Sequence, residues 1–312
     1  MSPESSERPI TVYGAISANL VIAIAKFVAA SVTGSSAMLS EGIHSVVDTG
    51  NELLLLLGIR RSSRPANAMH PFGYGQELYF WSLIVAILLF GLGGGMSIYE
   101  GISHLQHPVE IRDPSWNYAV LAIAFVAEGT SLAIALRKLL ERRKAGETLW
   151  QTLRGSKDPT VFTVVAEDSA ALMGIFVAFL GVLLGHRLQN PFLDGAASVV
   201  IGLILASVAG FLVYETRDLL VGESADSEVV QSIYELAAAD PDVISVARPL
   251  TMHFGPNEVL LNFDIEFRPE LSAEEVTAAV DRLEANIREK RPEVKRIFIE
   301  AESLKRPGQG EP

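Results

Sequence analysis

Six stretches of the chain stay apolar long enough to cross a bilayer as helices: residues 10–33, 37–59, 78–102, 115–136, 161–184 and 195–214. Each is near the ~20 residues that a spanning helix needs. A buried helix of a soluble protein can imitate one such segment, but not six in series. After residue 221 the pattern changes. Residues 227–238 have the spacing of an amphipathic helix, and 246–254 and 258–267 read as strands joined by a Gly255-Pro256-Asn257 turn. Leu271, Val276, Val280, Leu283 and Ile287 form a helical stripe, and 295–299 is a last strand. The pattern predicts a membrane α-helical bundle over 1–222 and a small α/β domain over 223–312, its helices packed on one face of its sheet.

Charge sharpens that division. The 312 residues are 49% hydrophobic and 20% charged, yet from Glu223 onward nineteen acids face ten bases, so the tail holds 9 of the 12 net negative charges. In the short loops, Arg60, Arg61 and Arg64 follow the second segment, and Arg137, Lys138, Arg142, Arg143, Lys144, Arg154 and Lys157 follow the fourth. The opposite loops carry little beyond Arg112 and Arg187. The positive-inside rule then puts both termini, and the tail, in the cytoplasm, with the bundle in the inner (plasma) membrane. The first segment lacks a short basic leader, has too long an apolar run for a cleaved signal and contains Lys26, so it is expected to stay as a membrane helix. The absence of cysteine excludes disulfides and thiolate metal ligands. No glycine-rich phosphate loop or nucleophile elbow is present, which removes the simplest enzyme readings.

The informative residues are ionisable ones inside the apolar segments, since a charge there costs several kcal/mol and usually lines a bundle interior that handles ions or protons. Glu41, His44, Asp48 and Glu52 are spaced by three, four and four residues and so fall along one side of the second helix. Leu39, Ile43, Val46 and Val47 cover the other side. His44 and Asp48 offer an imidazole nitrogen and a carboxylate from adjacent turns, a set that suits Zn²⁺ or another borderline divalent ion. Asp168 in the fifth segment supplies a third donor. Glu167 beside it points about 100° away and is either a fourth ligand or a proton carrier. The structural alternative is a buried polar network that holds helices together. Glu41 reads as a cap or solvated group at the membrane edge, Glu52 as a structural partner, and Glu128 as a network partner of Lys26 or Asn19 or a support for the metal ligands. Gly91, Gly93, Gly94 and Gly95 in the third segment, with Gly195, Ala196, Ala197, Ser198 and Gly202 in the sixth, predict close helix packing.

The stretch from Ser40 to Asp48 (SEGIHSVVD), the loop His70 to Glu77 (HPFGYGQE), the six helices and the α/β tail together resemble the cation diffusion facilitator family. Asp48-Thr49-Gly50-Asn51-Glu52 and Glu167-Asp168-Ser169-Ala170-Ala171 are similar to its zinc transporter 9-like branch. The resemblance implies a homodimeric six-helix antiporter with a ferredoxin-like cytoplasmic domain for dimerisation and regulation. Its members move Zn²⁺, and in some branches Mn²⁺, Fe²⁺, Co²⁺ or Cd²⁺, out of the cytoplasm against protons. The family site lies between the second and fifth helices, at an acid or histidine four residues before an aspartate on each. Here that gives His44 and Asp48, then Asp168, but Val164 stands four before Asp168 and cannot bind metal. Glu167 or a water takes its place, which adds oxygen character to the site. Accessory sites look degraded. Tyr74 replaces a partner of His70, the tail positions Asp264, Glu300 and Glu302 are carboxylates, and His253 reads as an ordinary strand residue.

Divalent cations, the lipid bilayer and a second copy of the chain are thus the expected partners, with no prosthetic group and no nucleic acid. Protons and metal would compete for the same oxygens, which couples their movements. A channel or metal-sensing receptor that binds the same ion is the competing class. It lacks support from repeated acidic or carbonyl rings along a pore.

Overall fold

The structure is a computed structural model that describes residues 9–111, 113–141, 143 and 146–301. Arg112, Arg142, Lys144 and Glu302, named above, lie outside the described residues. The chain divides into two compact units, one of residues up to Arg60 with Phe80–Arg217, the other of Arg61–Tyr79 with the residues from Asp218 on. The loop 61–79 thus groups with the tail, an association that the hydropathy pattern does not reveal.

The first unit is helical. In order run α1 (Pro9–Thr33), α2 (Ser36–Ser62), α3 (Glu77–Leu88), a π-helical stretch (Leu89–Gly95), α4 (Met96–Gln106), α5 (Ser115–Glu141), α6 (Leu149–Arg154), α7 (Pro159–Arg187) and α8 (Phe192–Val221). The apolar segments therefore all fold as helix. Among the described residues four helices are long and apolar enough to cross a membrane: Glu77–Gln106, Ser115–Glu141, Pro159–Arg187 and Phe192–Val221. The described part of α1 that is apolar, Asn19–Thr33, is shorter. In α2 the run is broken by Glu41, His44, Asp48, Asn51 and Glu52. The chain is a multi-pass membrane protein, and its polarity is inverted accordingly: Val21, Ile24, Ile123, Val126 and Phe176 face outward, while Lys26, Glu41, His44 and Asp194 are buried.

Local chemistry sets the breaks. Gly34 takes φ 77° in the tight link between α1 and α2, a conformation that favours glycine. Asp158 accepts the backbone N–H of Thr160 at 3.1 Å and Pro159 opens α7, as suits a first turn with no partner for its N–H groups. The expected close packing is seen where glycines meet. A side chain on Gly101 of α4 would stand 2.7 Å from the Gly195 carbonyl of α8, and one on Gly202 would stand 2.8 Å from the Gly94 carbonyl.

The second unit contains α9 (Ser227–Ala238), β1 (Val243–Val246), β2 (Leu250–Gly255), β3 (Glu258–Phe267), α10 (Ala273–Lys290) and β4 (Val294–Ala301). The order is the one expected with one strand added: the strand expected over 246–254 is found as β2, and β1, which meets that range only at Val246, was not expected. β1 and β2 both pair antiparallel with β3, β1 with its end near Phe267 and β2 with its start, and Pro249 stands at the break. β4 pairs parallel with β3, with Asp264 opposite Glu300. Val259, Leu261, Phe263 and Ile265 alternate along β3 and pack with Ile233 and Ala237 of α9 and Leu283 and Ile287 of α10. From the loop 61–79, Phe72 meets Phe254 and Phe298 at ring separations of 5.3 and 6.4 Å, and the Arg296 guanidinium lies 5.2 Å from its ring centre.

Arg282 of α10 ties that helix to the turn after α9, donating to Asp240 at 2.8 and 2.7 Å and to Asp242 at 2.8 Å. These bonds hold the Asp240 carboxyl below the usual carboxylate range. A carboxyl with a depressed folded-state pKa adds stability that is full above its unfolded value, about 3.9, and lost as pH falls through the folded value. Arg282→Ala is therefore expected to destabilise the second unit by ~1–2 kcal/mol near neutral pH, discounted because Arg282 is partly exposed, and to lose less on acidification below about pH 4. Hydrogen exchange of α9 and α10 in the full chain, run at both pH values, checks this. Equal protection in the variant and the unmutated protein would contradict it.

Candidate metal centre

Helical spacing on α2 does what the sequence requires of it. Glu41, His44, Ser45, Asp48 and Asn51 are buried, whereas Val46 and Leu53 point out. Two contacts bracket this face against α7. Asn51 donates to Glu167 Oε1 at 2.6 Å, and the free oxygen of Glu41, Oε1, lies beside Gly174 in the space where a side chain would be. Because 51 meets 167 and 41 meets 174, the two helices run antiparallel here, and His44 and Asp48 fall between the two contacts. Asp168 is buried on α7 and receives a hydrogen bond from Ser131 of α5. Its Oδ2 has no hydrogen-bond partner, and neither has His44 Nδ1.

Carboxylates crowd this interior. Glu167, Glu128, Glu52 and Asp168 all lie close enough to act electrostatically on Asp48. Among the described residues, however, no three His, Asp or Glu side chains converge as ligands of one ion. Glu167 is engaged by Asn51 and Asp168 by Ser131. The four expected residues, His44, Asp48, Glu167 and Asp168, thus share one buried region contributed by α2 and α7, with α5 beside them.

The pairing of several residues escapes sequence reasoning. Lys26 of α1 is fully buried and donates to Glu41 at 2.9 Å and to Ser45 at 2.8 Å. Glu41 is therefore an internal ion-pair partner rather than a solvated group at the membrane edge. Asn19 donates to Glu52 at 2.9 Å, which bears out a structural partner for Glu52. Glu128, read as a partner of Lys26 or Asn19 or as a support for the metal ligands, is buried near the carboxylate cluster, while those two donors are bonded to Glu41 and Glu52. A lysine in the first apolar segment was the one signal that pointed to this network.

The remaining candidates have ordinary roles in the structure. His253 is buried in β2, its Nδ1 at 3.2 Å from the Gly255 carbonyl. His70 stacks on Tyr74 with ring centres 4.3 Å apart.

Residues 12–221 match the family described as the cation efflux transmembrane domain, which covers every residue of this centre. The chain belongs to the cation diffusion facilitator family. Within it the sequence falls in the zinc transporter 9-like branch. It is 31% identical over 306 residues to the proton-coupled zinc antiporter SLC30A9, mitochondrial, of Xenopus laevis, covering 86% of this chain and 55% of the relative. The protein of the same name from Homo sapiens is 35% identical over 243 residues, covering 78% and 43%. Metal tolerance protein C4 of Arabidopsis thaliana is 29% identical over 274 residues, covering 87% and 59%. The chain thus spans about half the length of these curated relatives. Membership of the cation diffusion facilitator family classes it with transporters rather than enzymes.

Proposed function

We propose that this chain exports a divalent cation, Zn²⁺ first among them, in exchange for protons, and that His44, Asp48, Asp168 and Glu167 form its transport site. One observation carries the reading: a buried imidazole nitrogen and a buried carboxylate oxygen, His44 Nδ1 and Asp168 Oδ2, have no hydrogen-bond partner within the polar interior of the bundle. Buried polar atoms are ordinarily satisfied, and orphaned ones of metal-ligating type suit a cation. His44 with Asp48 and Asp168 provides one nitrogen and carboxylate oxygens, and Glu167 joins them by releasing Asn51. Three carboxylates supply more negative charge than a divalent ion neutralises, and protons bind the same atoms when the ion leaves. That exchange of occupants is the physical basis of antiport.

Six helices crossing the membrane, with both termini and the tail in the cytoplasm, fit the loop charges. The tail unit, 223–312, is assigned dimerisation through the face of its sheet opposite its helices. Relatives named proton-coupled zinc antiporters support zinc and proton coupling. A second reading, Fe²⁺, Mn²⁺ or Co²⁺ as substrate, is favoured by the single imidazole among oxygen donors.

Proton coupling is tested in proteoliposomes. Zinc flux is expected to change in size and sign with an imposed pH difference, with a pH-sensitive dye reporting the counterflow. Flux that follows only the metal gradient and the voltage would establish a channel instead.

A further inference from the structure

Lys26 is a primary amine buried among apolar helices, and nothing in the transport reading uses it. Its Nζ bonds Glu41 and Ser45 only one residue from His44, and it lies close enough to act electrostatically on both His44 and Glu128. Replacing a buried ion pair by apolar residues is often neutral or stabilising, so packing alone gives little reason to keep one. The Glu41 carboxylate, moreover, bonds the lysine through Oε2 and leaves Oε1 without a hydrogen-bond partner, in a space that exists because residue 174 is glycine. The pair therefore presents a cation on one side of the His44 turn and a free carboxylate oxygen toward α7. A fixed positive charge this near a cation site raises the energy of the loaded state unless a carboxylate neutralises it.

We propose that Lys26 is a fixed positive charge beside the transport site, and that Glu41 sets cation affinity by compensating it. With Glu41 paired to it, the field of the ammonium at His44 is partly offset. Deprived of Glu41, it opposes a divalent cation there. The lysine's hydrogen bonds go to Glu41 and Ser45 rather than to a proposed ligand, so it acts on the ion through charge. The inference rests on the assignment of His44, Asp48 and Asp168 as the transport site.

The two partners then have opposite effects, which a bracing role cannot produce. Zn²⁺ affinity of the full chain in detergent is measured at one pH by competition with a chelating dye, with size exclusion and circular dichroism to show that each variant is folded. Glu41→Gln is expected to weaken binding on the order of tenfold or more, because it strands the lysine's charge. Lys26→Met is expected to bind Zn²⁺ at least as tightly as the unmutated chain, and the double variant to recover most of the loss. Weakening by both single variants alike would overturn the proposal. If Glu41→Gln does not fold, Lys26→Met against the charge-preserving Lys26→Arg decides. Binding in the Met variant at least as tight as in the Arg variant supports the proposal, and weaker binding in Met overturns it. Asp48→Asn separates the two levels: zinc binding that survives it removes the transport-site assignment itself, whereas same-sign losses at Lys26 and Glu41 with Asp48→Asn inactive remove only this inference.

Discussion

Asp48→Asn and Asp168→Asn are each expected to reduce zinc uptake into proteoliposomes at least a hundredfold under an imposed proton gradient, with the folded helical bundle retained. The size follows from charge. Each substitution removes one anionic donor from a buried site, and losing a charge-assisted contact of this kind costs about 3–5 kcal/mol, a factor of more than a hundred. The amide keeps the shape and one oxygen, so the fold is expected to tolerate it, all the more because Asp168 Oδ2 has no hydrogen-bond partner to lose. Glu167→Gln is the informative companion. A ligand would show a loss as large as the aspartates, whereas a proton carrier would keep zinc affinity and lose the response to pH. Uptake near the unmutated level in both aspartate variants would remove the site assignment.

The sequence made the membrane helices and the tail legible because both depend on period and length. Apolar runs of spanning length cannot be hidden, and β3 appears with the ends that alternation gives it, Glu258–Phe267. β1 was less visible, since Val243–Val246 is a run of only four residues and carries little alternation. The burial of His44, Asp48 and Asp168 was legible for a different reason: in an apolar segment each polar residue demands an explanation. What stayed hidden were relations between distant segments. Nothing in the local pattern says that Asn51 reaches Glu167, 116 positions away, or that Lys26 pairs with Glu41 rather than with Glu128. Such choices follow from which helices are neighbours, and hydropathy does not order helices in a bundle. Glu41 was misread because its place near the Gly34 link suggested an edge, whereas the end of α2 is itself enclosed by other helices.

Asp194→Ala is expected to destabilise the bundle by roughly 3 kcal/mol or more, the largest single stability effect anticipated outside the metal centre. Asp194 is fully buried in the first turn of α8, yet its carboxylate serves the first turn of α2. Oδ1 accepts from Ser35 Oγ at 2.6 Å, and Oδ2 accepts from the backbone N–H groups of Ser36 at 2.5 Å and Ala37 at 3.3 Å. One anion thus stands at two helix N-termini, where the unpaired N–H groups and the helix dipoles both favour negative charge. His104 of α4 brings Nε2 to 3.8 Å of the same carboxylate, and Ser36 and Ser198 join hydroxyls at 2.7 Å. Removing the carboxylate leaves two buried N–H groups of α2 without an acceptor, each costing about 1–3 kcal/mol, and cuts the tie between the helix that carries His44 and the helix that begins at Phe192. Asp194→Asn keeps an acceptor oxygen and is expected to lose less than half as much. Thermal unfolding in detergent measures the stability, and hydrogen exchange over residues 36–44 locates it, because a lost cap frays the first turns of α2 before the rest of the bundle. Unchanged melting together with unchanged protection of that segment in Asp194→Ala would show that α2 is held at its start by packing alone.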